Sequence, residues 1–179
     1  TIENMSQRLK ISRDGIYPAV LGGAENTVSK TSWFPMFTLN WWPLKDVKDA
    51  STVQKNLSMR SYIVVPMETP DVLRKYSPTE LAVQQSKLSD MLTNGLRGVF
   101  GVDAIPDFPR WNKDEKTYQF MGHTLPDKDA ADQARKDINR AALNLAKKLW
   151  ADPNLWTTPN YRGAYLSVEI NENGWPNVQ

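Results

Sequence analysis

Apolar residues recur three and four apart over two stretches of the chain, and that spacing predicts two helices. The first opens at Ser77-Pro78-Thr79-Glu80. Serine caps, proline suits the first helical position, and the glutamate three residues on completes a capping box. Leu81, Leu88, Met91 and Leu92 then share a face, and Asn94-Gly95 supplies a stop. The second opens at Leu125-Pro126-Asp127 and runs to about Trp150. Its apolar stripe is Ala131, Ala134, Ile138, Ala141, Ala142, Leu145 and Leu149. Asp127, Asp129 and Asp132 crowd its start and Lys147 and Lys148 its end, which suits the helix dipole, and Asp152-Pro153 stops it. A short helical turn is expected at Thr69-Pro70-Asp71-Val72-Leu73, capped by the threonine.

Alternating or β-branched segments predict strands around these helices. They are Ser61–Val65, Gly98–Val102, Thr117–Met121 and Tyr161–Asn171. In the last, Ala164, Leu166, Val168 and Ile170 take one face and Tyr165, Ser167, Glu169 and Asn171 the other. Residues 60–171 therefore read β-α-β-β-α-β, the ferredoxin-like split βαβ order, with both helices on one face of an antiparallel sheet. The expected fold class is α+β. The link Asp103–Lys116 carries Pro106, Pro109 and Trp111 and reads as an ordered loop.

Residues 1–56 read as an aromatic-rich β extension packed on or extending the main sheet, with residues 57–179 as the ferredoxin-like core. Phe37–Trp41 alternates like a strand. Ile16–Leu21 is a second, with Pro18 expected to keep it at an edge and Gly22-Gly23 to break it. Lys45–Leu57 reads as a short helix or a polar loop.

Composition narrows the chemistry by subtraction. The chain of 179 residues has seven tryptophans, one histidine and no cysteine. Disulfides, thiol nucleophiles and thiolate metal sites are out, and a single imidazole, His123, is the one candidate histidine base. The net charge of +2 includes no basic arm or acidic tail. No apolar run reaches the roughly 18 to 20 residues that span a bilayer. Thr1-Ile2-Glu3-Asn4 is not a signal peptide, and without an initiator Met the chain is expected to be a processed form, an excised fragment or a trimmed one. Periplasm and cytoplasm both stay open as compartments, with a lean to the periplasm.

Candidate chemistry is sparse. His123 has Asp127 or Asp129 as possible orienting acids but no serine or threonine in an elbow-like setting. Acid pairs such as Asp103 with Asp107, Asp114-Glu115, and Glu169 with Glu172 carry no specific spacing. Asp127-Lys128-Asp129 does not match a calcium loop and reads as a helix start. Gly95, Gly98 and Gly101 follow a helix rather than opening one, so no phosphate loop is read. The β-α-β-β-α-β order is shared with a common RNA-binding module, but Gly98-Val99-Phe100-Gly101-Val102 departs from that module's aromatic motif and residues 57–179 are near neutral.

Aromatic clusters carry the positive reading. Trp33-Phe34-Pro35-Met36-Phe37 and Trp41-Trp42-Pro43 gather large rings, and strand neighbours Trp41 and Trp42 must face opposite ways. Trp33, Phe37, Trp41, Trp42, Trp111 and Trp156 form the expected binding surface, with core packing as the alternative for each. The sequence expectation is a non-enzymatic protein-interaction module without cofactor, metal or nucleic acid. Its partner would be another protein or a second copy, as in adaptors, inhibitor or immunity proteins, and bacterial envelope assemblies. The alternatives are a carboxylate-dependent carbohydrate-active enzyme and a non-catalytic sugar-binding module.

Overall fold

The structure is a computed structural model that describes residues 15–43, 59–157, 164–170 and 176–178. The fold is α+β and divides into two compact units: Thr1–Val28, Met36–Ile63 and Pro153–Gln179 form one, Ser29–Pro35 and Val64–Asp152 the other. The boundary expected near residue 56, the Lys45–Leu57 segment and Trp175 lie outside the described residues.

The first unit is built on a five-stranded sheet. Its strands are β1 (Gly15–Val28), β2 (Pro35–Pro43), β3 (Met59–Val64), β7 (Ala164–Ile170) and β8 (Pro176–Val178), in the order β3-β2-β1-β7-β8. β1 is central rather than at an edge. Its residues Gly15–Ala19 pair antiparallel with β7, and the register sets Pro18 opposite Tyr165. Proline costs that ladder one donor, and a strand of 14 residues tolerates the loss. Nor do Gly22-Gly23 break β1, because Gly22 serves as space: a Cβ there would overlap the Trp42 indole. On β2, Phe37, Leu39 and Trp41 alternate onto one face and are all buried. Trp156, from a 3-10 turn at Pro153–Thr157, meets Phe37 edge-on with centroids 5.0 Å apart. The Trp41 indole N–H donates to Ser61 Oγ at 2.8 Å, which joins β2 to β3.

The second unit holds the three helices, α1 (Pro70–Lys75), α2 (Pro78–Phe100) and α3 (Lys128–Ala151), and a three-stranded antiparallel meander of β4 (Arg110–Asn112), β5 (Thr117–Phe120) and β6 (His123–Leu125). The helix starts follow the sequence. Thr69 caps α1 through Val72 N–H, Ser77 and Glu80 close a capping box on α2, and Asp127 caps α3 through Ala130 N–H. Phe34, Val72 and Leu81 make one buried cluster, with Val64, Tyr76 and Leu88 against it.

The end of α2 departs from expectation. The helix runs through Asn94-Gly95 and over the segment expected to be a strand, stopping at Gly101, whose φ of 86° only glycine adopts freely. Leu92, Leu96 and Val99 continue the apolar stripe and are buried. That burial outweighs the roughly 1 kcal/mol that each interior glycine costs a helix. Met91, assigned to the core face, is instead 66% exposed.

With residues 98–102 helical or turning and Thr117–Phe120 in a separate meander, the ferredoxin-like order is not confirmed. The described strands divide between two sheets.

Candidate functional site

The second unit carries an open cleft of about 480 Å³ at one end of the meander. Val102, Pro106 and Phe108 line one side, Phe120, Met121 and Gly122 the other, with Asp107, Arg110 and Gln119 supplying polar edges.

The β5–β6 turn explains one wall. Phe120 pairs with His123, so Met121-Gly122 is a two-residue loop, and its φ values of 50° and 78° are both positive. A two-residue hairpin loop with both φ angles positive is of type I′, which favours asparagine or aspartate followed by glycine. Gly122 satisfies that demand, whereas Met121 violates it. A non-glycine residue in the left-handed region costs roughly 1–2 kcal/mol. The same methionine is 68% exposed, so no burial offsets the cost.

The facing wall is the 101–109 loop, and Arg97 holds it. Its guanidinium donates to Ile105 O at 3.2 Å and to Pro106 O at 3.1 and 2.6 Å, and to Asn94 Oδ1 at 2.7 Å. Two guanidinium groups stack on the Phe108 ring, Arg97 at 4.8 Å and Arg135 at 4.2 Å from its centroid. Arg135 is itself held by Asp90 at 2.7 Å. Asp107 lies 3.5 Å from Arg97 and 3.9 Å from Arg110. Arg97 and Arg110 share the one Asp107 carboxylate, which leaves this group with a net positive charge and the well-exposed Arg110 on the rim.

The residues expected to form one aromatic binding surface are divided between the two units. Phe37, Trp41 and Trp156 are buried in the first unit, where Trp42 is half-buried against Gly22. Trp33 and Trp111 are exposed and belong to the second unit. Trp33 takes a left-handed φ of 65° in the turn closed by Ser29 N–H to Phe34 O, with the Lys75 ammonium 4.8 Å above its ring. Trp111 lies across from Tyr118, their rings 4.8 Å apart and tilted by 60°.

Two of the acids named from sequence, Asp127 and Asp107, have local structural work. Asp127 caps α3, Asp107 joins Arg97 and Arg110, and Asn112 fixes the turn at Asp114-Glu115 by accepting both amides. His123 is exposed at the start of β6. Among the described residues, no group of three or more histidine or acidic side chains is placed to hold a metal ion. No described helix is long and apolar enough to cross a membrane. Neither the family models, nor the curated proteins, nor the solved structures compared with this chain give a match.

Val102, Phe108, Met121 and Arg97 escape a reading based on sequence periodicity. The available signal was Gly122 directly after a short alternating segment, which marks a hairpin turn and places Met121 at its tip.

Proposed function

We propose that this chain is a non-enzymatic interaction module that seats one large apolar side chain of a partner protein in the cleft between Met121 and the 101–109 loop. The observation that carries this reading is Met121: a flexible apolar side chain, exposed, at a backbone position that disfavours it. Local cost without local return is the mark of a residue kept for something outside the chain. Methionine also adapts to varied apolar shapes. Arg110 on the rim complements a carboxylate near that anchor, so the segment bound carries an apolar residue beside an acidic one. The β4 edge offers little to strand addition, because it is three residues long and Pro109 precedes it.

The engagement of the Asp107 carboxylate in ion pairs and of the Asp127 carboxylate in a helix cap supports binding over carboxylate catalysis. The test is calorimetric titration with short capped peptides holding one Phe or Leu next to Asp, against the same peptides with Lys in place of Asp. The acidic set is expected to bind, and Met121→Asn to weaken it about tenfold while raising thermal stability, since asparagine suits the left-handed region. Equal binding by Met121→Asn, or by the lysine peptides, refutes the assignment.

A further inference from the structure

We infer a second, independent binding site on the aromatic face of the meander: the cavity lined by Trp111, Tyr118, Lys116 and Lys128 takes a small ligand carrying a planar ring and a phosphate, of the nucleoside monophosphate class. The cavity measures about 360 Å³. The register aligns Trp111 with Tyr118 and Tyr118 with Leu125, so the three side chains form one row across the sheet on a single face. Tyr118 packs against Trp111 at a tilt and not flat, and Trp111 stays 50% exposed. An exposed indole supplies a stacking surface that any base can use.

Both lysines occupy positions that local preference argues against. Lys116 has a φ of 52° in the β4–β5 turn, where glycine or asparagine would be relaxed. The turn does not require it, since Asn112 Oδ1 already accepts the amides of Asp114 and Glu115 at 3.0 and 3.1 Å. Lys128 is the first residue of α3, where the helix dipole disfavours a cation. The acid in the same lining, Asp127, commits its carboxylate to Ala130 N–H at 2.8 Å. Two exposed lysines at backbone positions that local preference argues against, lining one cavity with an exposed tryptophan, define a site for one anionic group next to one ring. A long polyanion is disfavoured, because Asp114, Glu115 and Asp127 nearly balance the cations of this stretch.

Calorimetric titration of the full chain with AMP, GMP, CMP and UMP tests the site, with adenosine, ribose 5-phosphate and inorganic phosphate as separate arms. At least one monophosphate is expected to bind, its nucleoside and its sugar phosphate each about tenfold or more weaker. Trp111→Ala is expected to weaken binding about tenfold or more. Lys116→Gly is expected to do the same while raising the melting temperature, a pairing that a purely structural lysine would not produce. The proposal is overturned if none of the four binds at millimolar concentration, if inorganic phosphate binds as tightly as the nucleotide, or if Lys116→Gly leaves affinity unchanged.

Discussion

Replacing Arg97 with methionine keeps the aliphatic stem and removes the guanidinium, which isolates what that group does for the cleft wall. The arginine side chain is only 12% exposed, and its N–H groups serve the carbonyls of Ile105 and Pro106. A hydrogen bond to a charged group contributes about 1.5–3 kcal/mol, and the part-buried setting puts these two at the lower end. The stack on Phe108 adds about 0.5–1 kcal/mol. The contact with Asp107, half exposed at its acid end, adds less than about 1 kcal/mol. These contributions share one side chain and are not additive, so the expected loss is about 3 kcal/mol. For a chain of this length that corresponds to roughly 6–12 °C in melting temperature. Urea unfolding followed by circular dichroism measures the free energy, and amide exchange locates it: residues 102–109 should lose protection first. Arg97→Lys keeps the charge but cannot reach both carbonyls with a planar fork, and it should lose at least half as much. A loss below 1 kcal/mol in Arg97→Met, or unchanged exchange in the loop, would show that the wall is held by Phe108 and Ile105 packing alone.

Three further outcomes follow from the packing. Gly22→Ala should destabilise by about 1–3 kcal/mol in denaturant melts and shift tryptophan fluorescence, because the new methyl group must displace the Trp42 ring. Trp41→Phe should cost about 1–3 kcal/mol by the same measurement, since it leaves Ser61 Oγ without the indole donor and opens space in a buried face. Met91→Lys should stay within about 0.5 kcal/mol of the parent, as an exposed helix position predicts and a core position forbids.

Helix starts were the most legible part of this chain, because caps are local chemistry. Thr69, Ser77 with Glu80, and Asp127 each declare a first turn within four residues, and each caps as read. The end of α2 was illegible for the opposite reason. Asn94-Gly95 has the local form of a stop, but Leu96 and Val99 are buried in the folded chain, and that gain is invisible to a window of ten residues. Strand existence was read well at Phe37–Trp41, Thr117–Phe120 and Ala164–Ile170, whereas sheet membership was not. Alternation tells which face a side chain takes, and it is silent on which strand lies alongside. The aromatic residues show the same limit. Trp41 and Trp111 look alike as sequence, yet one is sealed against Ser61 and the other left half open. The cleft was hidden because its walls come from a turn and a loop, where periodicity carries no information.

The pairing of α2 with α3 has a mechanical consequence. α3 buries Ala131, Ile138, Ala142, Ala146 and Leu149, so small side chains alternate with two large ones along its inner face. A polar ladder also ties the two helices: Thr93 Oγ1 to Asn139 Oδ1 at 2.6 Å, Asn139 Nδ2 to Asp90 Oδ1 at 3.0 Å, and Arg135 to Asp90 at 2.7 Å. Sliding one helix by a turn, about 5.4 Å, breaks all of these at once, besides taking Ile138 and Leu149 out of their packing. The ladder therefore works as a detent, adding a directional lock to the one resting position that Ile138 and Leu149 favour by packing. Because Arg135 reaches onward to Phe108, the helix pairing is carried through to one wall of the cleft.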